Sequence, residues 1–313
     1  MSKFASIFTL LTAVLACALV TTPALAQRDR VFVASYGSDS NPCTFGSPCK
    51  TFQNAVNVVA AGGEFTAIDS AGFGTITISH AVTITSPNGV EAGIATPASG
   101  TAITITAGAN DVINLNGLTL DGVGSANFGI MFNSGGRLNI QNCVIRSFAN
   151  DGIDFVPNAS STLSVSNTLV AENSVDGIFI SPTNTGTVTA VLDHVEADNN
   201  SDGLLVIGNA NPGAVQVTVS DSVFTRNNII GIVASTPNGG PVAVMVRNST
   251  IADNSTLGIL ANFNATIRVT RSTITGSTTG WGTMNGGAID TYNDNNLDGN
   301  ATNGTASNII LTH

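Results

Sequence analysis

The sequence predicts an all-β chain wound into a solenoid of stacked coils. Three observations carry this. Between residues 129 and 280 seven glycines recur at intervals of 22 to 28 residues: Gly129, Gly152, Gly177, Gly203, Gly231, Gly258 and Gly280. Six of them precede Ile or Leu, and Gly280 precedes Trp281. An apolar repeat with a period in the twenties marks stacked structural units rather than a globule around one cleft. Second, short runs rich in Val, Ile and Thr alternate with Gly and Asn turns, as half-buried strands do. Third, the chain is 42% hydrophobic and 10% charged. That apolar share is ample for an ordered core. A solenoid extends one core lengthwise, so 313 residues need no second globular domain.

Residues 1–26 read as a secretory signal. Lys3 is followed by the uncharged apolar run Phe4–Val20, and Ala24-Leu25-Ala26 is a small-x-small cleavage site before Gln27. The same run is nearly long enough for a membrane anchor, and Cys17 offers a lipoprotein site. The cleavage site favours the signal. No later stretch could cross a bilayer, so the mature chain is expected to be secreted or periplasmic, without membrane insertion. Loss of Lys3 with the signal moves the formal charge from −10 to −11. So few basic residues argue against nucleic acid or an anionic membrane as partner. They also argue against an anionic polysaccharide, unless a cation bridges the two.

Residues 27–63 form the next unit. Val31–Ala34 is a short strand, and a turn-rich loop follows. Cys43 and Cys49 bracket that loop and are expected to close as a disulfide in an oxidising compartment. Thr51 caps an amphipathic helix through Ala61, with Phe52, Ala55, Val56 and Val59 on one face and Gly62-Gly63 at its end. A solenoid end exposes core side chains and unpaired backbone, so this helix reads as a lid. Cys143 reads as a packed, inert thiol. His80, His194 and His313 are scattered, and the cysteines are too few for a zinc site.

Residues 64–313 read as coils. Phe65–Ile68, Thr75–Ile78, Val82–Ile84, Ala102–Thr106, Val112–Leu115 and Leu118–Leu120 are the first strands. Aligned on the glycines, the pairs Val144-Ile145, Leu169-Val170, Val195-Glu196, Val223-Phe224 and Thr250-Ile251 form a second column. Asn142, Asn167, Asp193, Asp221 and Asn248 precede them. Asn173, Asn199, Asn227 and Asn254 follow three residues after the last four pairs end. Equivalent residues of stacked coils lie about 4.8 Å apart. An Asn column can therefore hydrogen-bond to itself along the axis. Trp281–His313 breaks the period and reads as a last coil with an edge-blocking tail, where Trp281 closes the core.

The glycine column, the Asn column, the short strands and the helical lid together resemble a right-handed parallel β-helix of the pectin-lyase-like superfamily. Val31–Asp39 with Pro48–Phe52 is similar to the start of many exported members. The resemblance covers roughly residues 30–310 and is specific for fold rather than chemistry. It implies an association with polysaccharides or with a cell-surface partner.

Enzymes of that superfamily leave residues that can be sought. A lyase on uronates needs a base, with Ca²⁺ or cationic side chains for the enolate-like transition state. Arg137, Arg146, Arg226, Arg247, Arg268 and Arg271 are available, but read as solvated strand residues. A hydrolase needs two carboxylates. Asn150-Asp151-Gly152-Ile153-Asp154 looks like the polygalacturonase segment Asn-Thr-Asp-Gly-x-Asp without its Thr. The paired Asp-Asp, Gly-His-Gly and Arg-x-Lys that accompany it there are missing. Asp151, Asp154 and Asp176 are the catalytic candidates. Asp151, Asp176 and Asp202 precede the glycine on three consecutive coils and are candidate Ca²⁺ ligands, since stacked carboxylates repel unless solvated, protonated or bridged. Asp-Gly is also ordinary turn chemistry. Two functions stay open. The first is an exported, non-catalytic surface or envelope protein that presents a side face for interaction, favoured by the sparse acid-base groups and aromatics. The alternative is a polysaccharide lyase or glycoside hydrolase.

Overall fold

The computed structural model describes residues 28–208, 213–237 and 239–311. The expected signal segment 1–26, with Cys17, and His313 lie outside them. The described chain is a parallel β-helix. Among the described residues, its strands form one nine-stranded and one twenty-stranded sheet. Each regular coil lays one short strand in the nine-stranded sheet and then turns into the other. There Ser161–Ala171 and Val188–Asp198 run through a corner and pair with each other in parallel over most of their length. Strands pair with their equivalents one coil away, as Ile153–Phe155 does with Ile178–Ile180.

The glycine column has a steric cause. A Cβ on Gly203 would lie 2.6 Å from the carbonyl oxygen of Gly231, and one on Gly231 would lie 2.6 Å from that of Gly258. These residues are glycine because adjacent coils touch there through backbone. The apolar residue after each glycine points inward. Ile130, Ile153, Ile178, Leu204, Ile232, Ile259 and Trp281 are register partners in turn and all are buried. Phe132 and Phe155 stack one coil apart at 4.5 Å.

The Asn column is present with one member corrected. Asn173 Nδ2 donates to Asn200 Oδ1 (2.8 Å), Asn200 Nδ2 to Asn227 Oδ1 (3.2 Å), and Asn227 Nδ2 to Asn254 Oδ1 (2.9 Å). The ladder residue is Asn200, not Asn199, which is exposed at φ 55°. The sequence alignment slips by one residue on this coil. Glu196-Ala197, not Val195-Glu196, pairs with Leu169-Val170 and Val223-Phe224. The left-handed corner is therefore His194 rather than Asp193. Beside it runs a hydroxyl ladder, in which the N–H groups of Val195, Ser222 and Ser249 donate to Ser222, Ser249 and Ser272 Oγ. Cys143 occupies that column, buried and unpaired. Burial pushes its thiol up to about 11, which keeps it protonated and inert.

At the N-terminal end Cys43 and Cys49 form the expected disulfide. Helix α1 spans Phe52–Val58, and Thr51 caps it by accepting from the N–H of Asn54. It is shorter than expected. Val59–Ala67 is strand, and the register with Arg28–Val33 shifts between Arg28 and Arg30, opposite Gly62 at φ 83°. The two glycines make a bulge inside a strand instead of ending a helix. Phe52 packs on Phe65 and stacks on Phe73. Gln53 Oε1 accepts from the N–H of Thr77, on the first strand of the nine-stranded sheet. The helix thus covers core side chains and also satisfies an edge amide. At the other end the tail blocks an edge too, because Gly280 and Trp281 donate to the carbonyls of Thr302 and Asn303.

Candidate functional site

Side chains alternate across a strand, so the residue after the inward column stands on the outer face of the nine-stranded sheet. Alternation breaks at each glycine, whose added Cβ would also meet the core, and the residue before the glycine joins the outer face, as Ile230 does by packing with Val233 and Leu260 outside the main core. Two outer columns run along the axis. In one, Asp151 is followed by Asp176, Asp202, Ile230 and Leu257, the last four being successive register partners. In the other, Asp154, Phe179, Leu205, Val233 and Leu260 are successive partners. Acids occupy the first coils of this stretch and aliphatic side chains the later ones.

Asp151, Asp154 and Asp176 are nearly buried, at 8%, 7% and 5% exposure, although they leave the sheet on its outer side. The four aspartates divide into two kinds. Asp151 Oδ1 accepts from the N–H of Asp176 (2.9 Å), and Asp202 Oδ1 accepts from the N–H of Ile230 (2.9 Å). These two tie adjacent coils together. Among the described residues, the carboxyls of Asp154 and Asp176 accept no hydrogen bond and make no ion pair. Desolvation and the charge of Asp151 push Asp154 up to about 7. Desolvation, then Asp151, Asp202 and Asp154, push Asp176 up to about 8. Desolvation also raises Asp151 and Asp202, and a backbone N–H offsets part of each shift.

The three catalytic candidates are therefore brought together, and the candidate Ca²⁺ ligands Asp151, Asp176 and Asp202 do form a column. Among the described residues, no group of three or more His, Cys, Asp or Glu is placed so that it could hold a metal ion. Two of the three have already turned an oxygen to backbone. Without a bridging ion, the raised values of Asp154 and Asp176 relieve the crowded charge by protonation. The strands of the nine-stranded sheet contain no Lys, Arg or His. The candidate arginines lie elsewhere, three of them in ion pairs: Arg146–Asp121 (3.1 Å), Arg226–Asp198 and Arg268–Asp290 (3.9 Å).

Sequence reasoning missed the aliphatic half of this face. Ile230, Val233 and Leu260 are 6–8% exposed and form a hydrophobic cluster separate from the main core, with Leu205 and Leu257 packed against it. The signal was legible. Ile230–Ser235 is apolar on both faces, where a strand with one solvated face would alternate.

Several comparisons bear on the fold. The sequence matches no curated protein. A crystal structure of pectate lyase Pel9A is similar at TM-score 0.70 and 17% identity, over 92% of this chain and 80% of that one. The A-module of Azotobacter vinelandii mannuronan C-5 epimerase AlgE4 overlaps at TM-score 0.43 and 17% identity, over 81% of this chain and 90% of that one. A rhamnogalacturonan lyase overlaps at TM-score 0.42 and 15% identity, over 83% and 75%. At these identities the likeness concerns the path of the backbone. Residues 51–224 match the family described as the right handed beta helix region, and with its parallel coils and inward glycine-apolar column the chain belongs to that family.

Proposed function

We propose that the protein is an exported carbohydrate-active enzyme that hydrolyses glycosidic bonds on the outer face of the nine-stranded sheet. The observation that carries this is the pair Asp154 and Asp176, nearly buried, without hydrogen-bond partners among the described residues, and titrating near neutrality. Neighbouring carboxyls in such a setting share the work of acid and base. Asp176, flanked by three other acids, holds its proton and donates it to the glycosidic oxygen as the bond breaks. Asp154 is the ionised partner on the attacking side. The stereochemistry of the product tells whether it activates water or attacks the anomeric carbon directly. Asp151 and Asp202 are positioning residues that fix the backbone at positions 176 and 230.

Hydrolysis fits this face better than elimination. Lyase chemistry places negative charge next to a carboxylate and needs a cation to stabilise it, and these strands carry none. The likeness to a pectate lyase supports polysaccharide as the substrate class. A non-catalytic rod would hold its aspartates as hydrated corners. Burial and the missing partners of Asp154 and Asp176 favour chemistry over that reading.

The test is mass spectrometry of products from a panel of neutral and uronate-containing polysaccharides incubated with the mature protein. Saturated oligosaccharides are expected, released in a bell-shaped pH profile with its maximum near neutrality. Asp154→Asn and Asp176→Asn should each lower the rate by about 10²–10⁴. Unsaturated ends would replace hydrolysis with elimination. An absence of fragments from every polymer would return the protein to the non-catalytic reading.

A further inference from the structure

We infer that the acidic and aliphatic halves of the outer face together select a neutral, O-acetylated polysaccharide, whose acetyl groups lie on Leu205, Ile230, Val233, Leu257 and Leu260. The inference rests on the reading that this face is where polysaccharide lies, and it names the class of polymer. The aliphatic patch continues the aspartate columns along the axis, since Asp202 is the register partner of Ile230, and Leu205 that of Val233. A chain whose scissile bond sits at Asp154 and Asp176 would therefore run across the aliphatic coils.

Two properties of the face decide what that chain can be. First, charge: among the described residues, the ionisable side chains in the strands of the nine-stranded sheet are Asp154, Asp176 and Asp202, with Asp151 beside them, and all are acids. A uronate-rich polymer would bring like charge to a surface without a cation. Second, hydrogen bonding: the patch over its three coils offers aliphatic groups, while the backbone amides beneath are engaged in the parallel ladder. A sugar hydroxyl pressed against it loses water and gains no partner, which is unfavourable. An acetyl ester removes that donor and supplies a methyl group. Ile230, Val233 and Leu260 pack against one another and expose only 6–8% of their surface, so the partly buried Leu205 and Leu257 packed against them carry most of the contact with the methyl.

The experiment is affinity electrophoresis of the mature protein in gels containing acetylated glucomannan, or the same polymer after mild alkaline deacetylation. Products from both polymers are analysed in parallel. Retardation should be at least about tenfold stronger in the acetylated polymer, the scale of a few methyl contacts in an apolar site. Val233→Thr combined with Leu260→Thr should level the two. Equal or stronger retardation by the deacetylated polymer, or none by either, overturns the inference, and this comparison needs no variant to fold. Cleavage without a preference sinks the inference and leaves the hydrolase reading standing. A preference without any cleavage sinks the hydrolase reading and leaves the acetyl-binding face.

Discussion

Asp176 illustrates how an unfavourable residue reports on its use. In an unfolded chain its carboxyl ionises near 3.8, and in the folded protein burial and three acids hold it up to about 8. A folded-state value above the unfolded one means that the native state binds the proton more tightly. The stability this contributes is complete below pH 3.8 and is lost as pH rises toward 8. Asp154 adds to the same window, up to about 7. Asp176→Asn, which keeps the shape and removes the charge, should therefore stabilise the fold at pH 9 by roughly 2–4 kcal/mol. At pH 4 it should leave stability almost unchanged. Chemical denaturation of both proteins at the two pH values measures this, and an equal effect at both would mean that Asp176 is solvated. The three acids were visible in the sequence because Asp-Gly repeats in phase. Which of them is free was not visible, since Asp151 and Asp176 occupy equivalent positions. Only the third dimension shows that one oxygen meets an N–H of the next coil and the other does not.

The ladders and the glycine column operate between coils. Asn227 accepts from the N–H and Nδ2 of Asn200, and donates to Asn254 Oδ1 and the carbonyl of Ala197. All of these groups are buried, so Asn227→Ala strands several polar atoms at once and should destabilise by roughly 2–4 kcal/mol. Gly203→Ala places a methyl 2.6 Å from the carbonyl oxygen of Gly231. Backbone cannot step aside cheaply there, so a loss of roughly 2–3 kcal/mol is expected. Thermal denaturation of both variants checks the pair, and changes under half a kcal/mol would mean that the coils slide to accommodate them. Period and column were legible because stacking forces equivalent residues into phase. The slip at Val195 was not. Val195 and Ala197 are both buried and apolar, and hydrophobicity alone cannot tell which of the two follows the left-handed corner.

The whole molecule depends on its ends, since each coil is held only by its neighbours. The disulfide closes a short loop just before α1, and Asp39 Oδ1 accepts from the N–H groups of Lys50 and Thr51 at the helix start. Breaking the disulfide should lower stability by about 2 kcal/mol, the loop-closure value for so short a ring. Under reducing conditions hydrogen exchange should accelerate first in 28–85 and last in the central coils. Uniform acceleration along the chain would show that the lid is no separate unit. The lid itself was legible from one helical face next to a strand-rich chain. The shorter helix was not, because Gly62-Gly63 reads equally well as a stop signal and as a bulge.

The register between coils also sets how the outer face can change in size. Gly203, Gly231 and Gly258 stand one above another, with Asp202, Ile230 and Leu257 on the same column. Excising or duplicating one full repeat would keep the inward column in phase and shift what lies above the cut. The outer face is thus a ruler graduated in coils of about 4.8 Å. Its acid end can stay fixed while its aliphatic end gains or loses whole steps. The length of polymer that the proposed site would grip would then change only by whole coils.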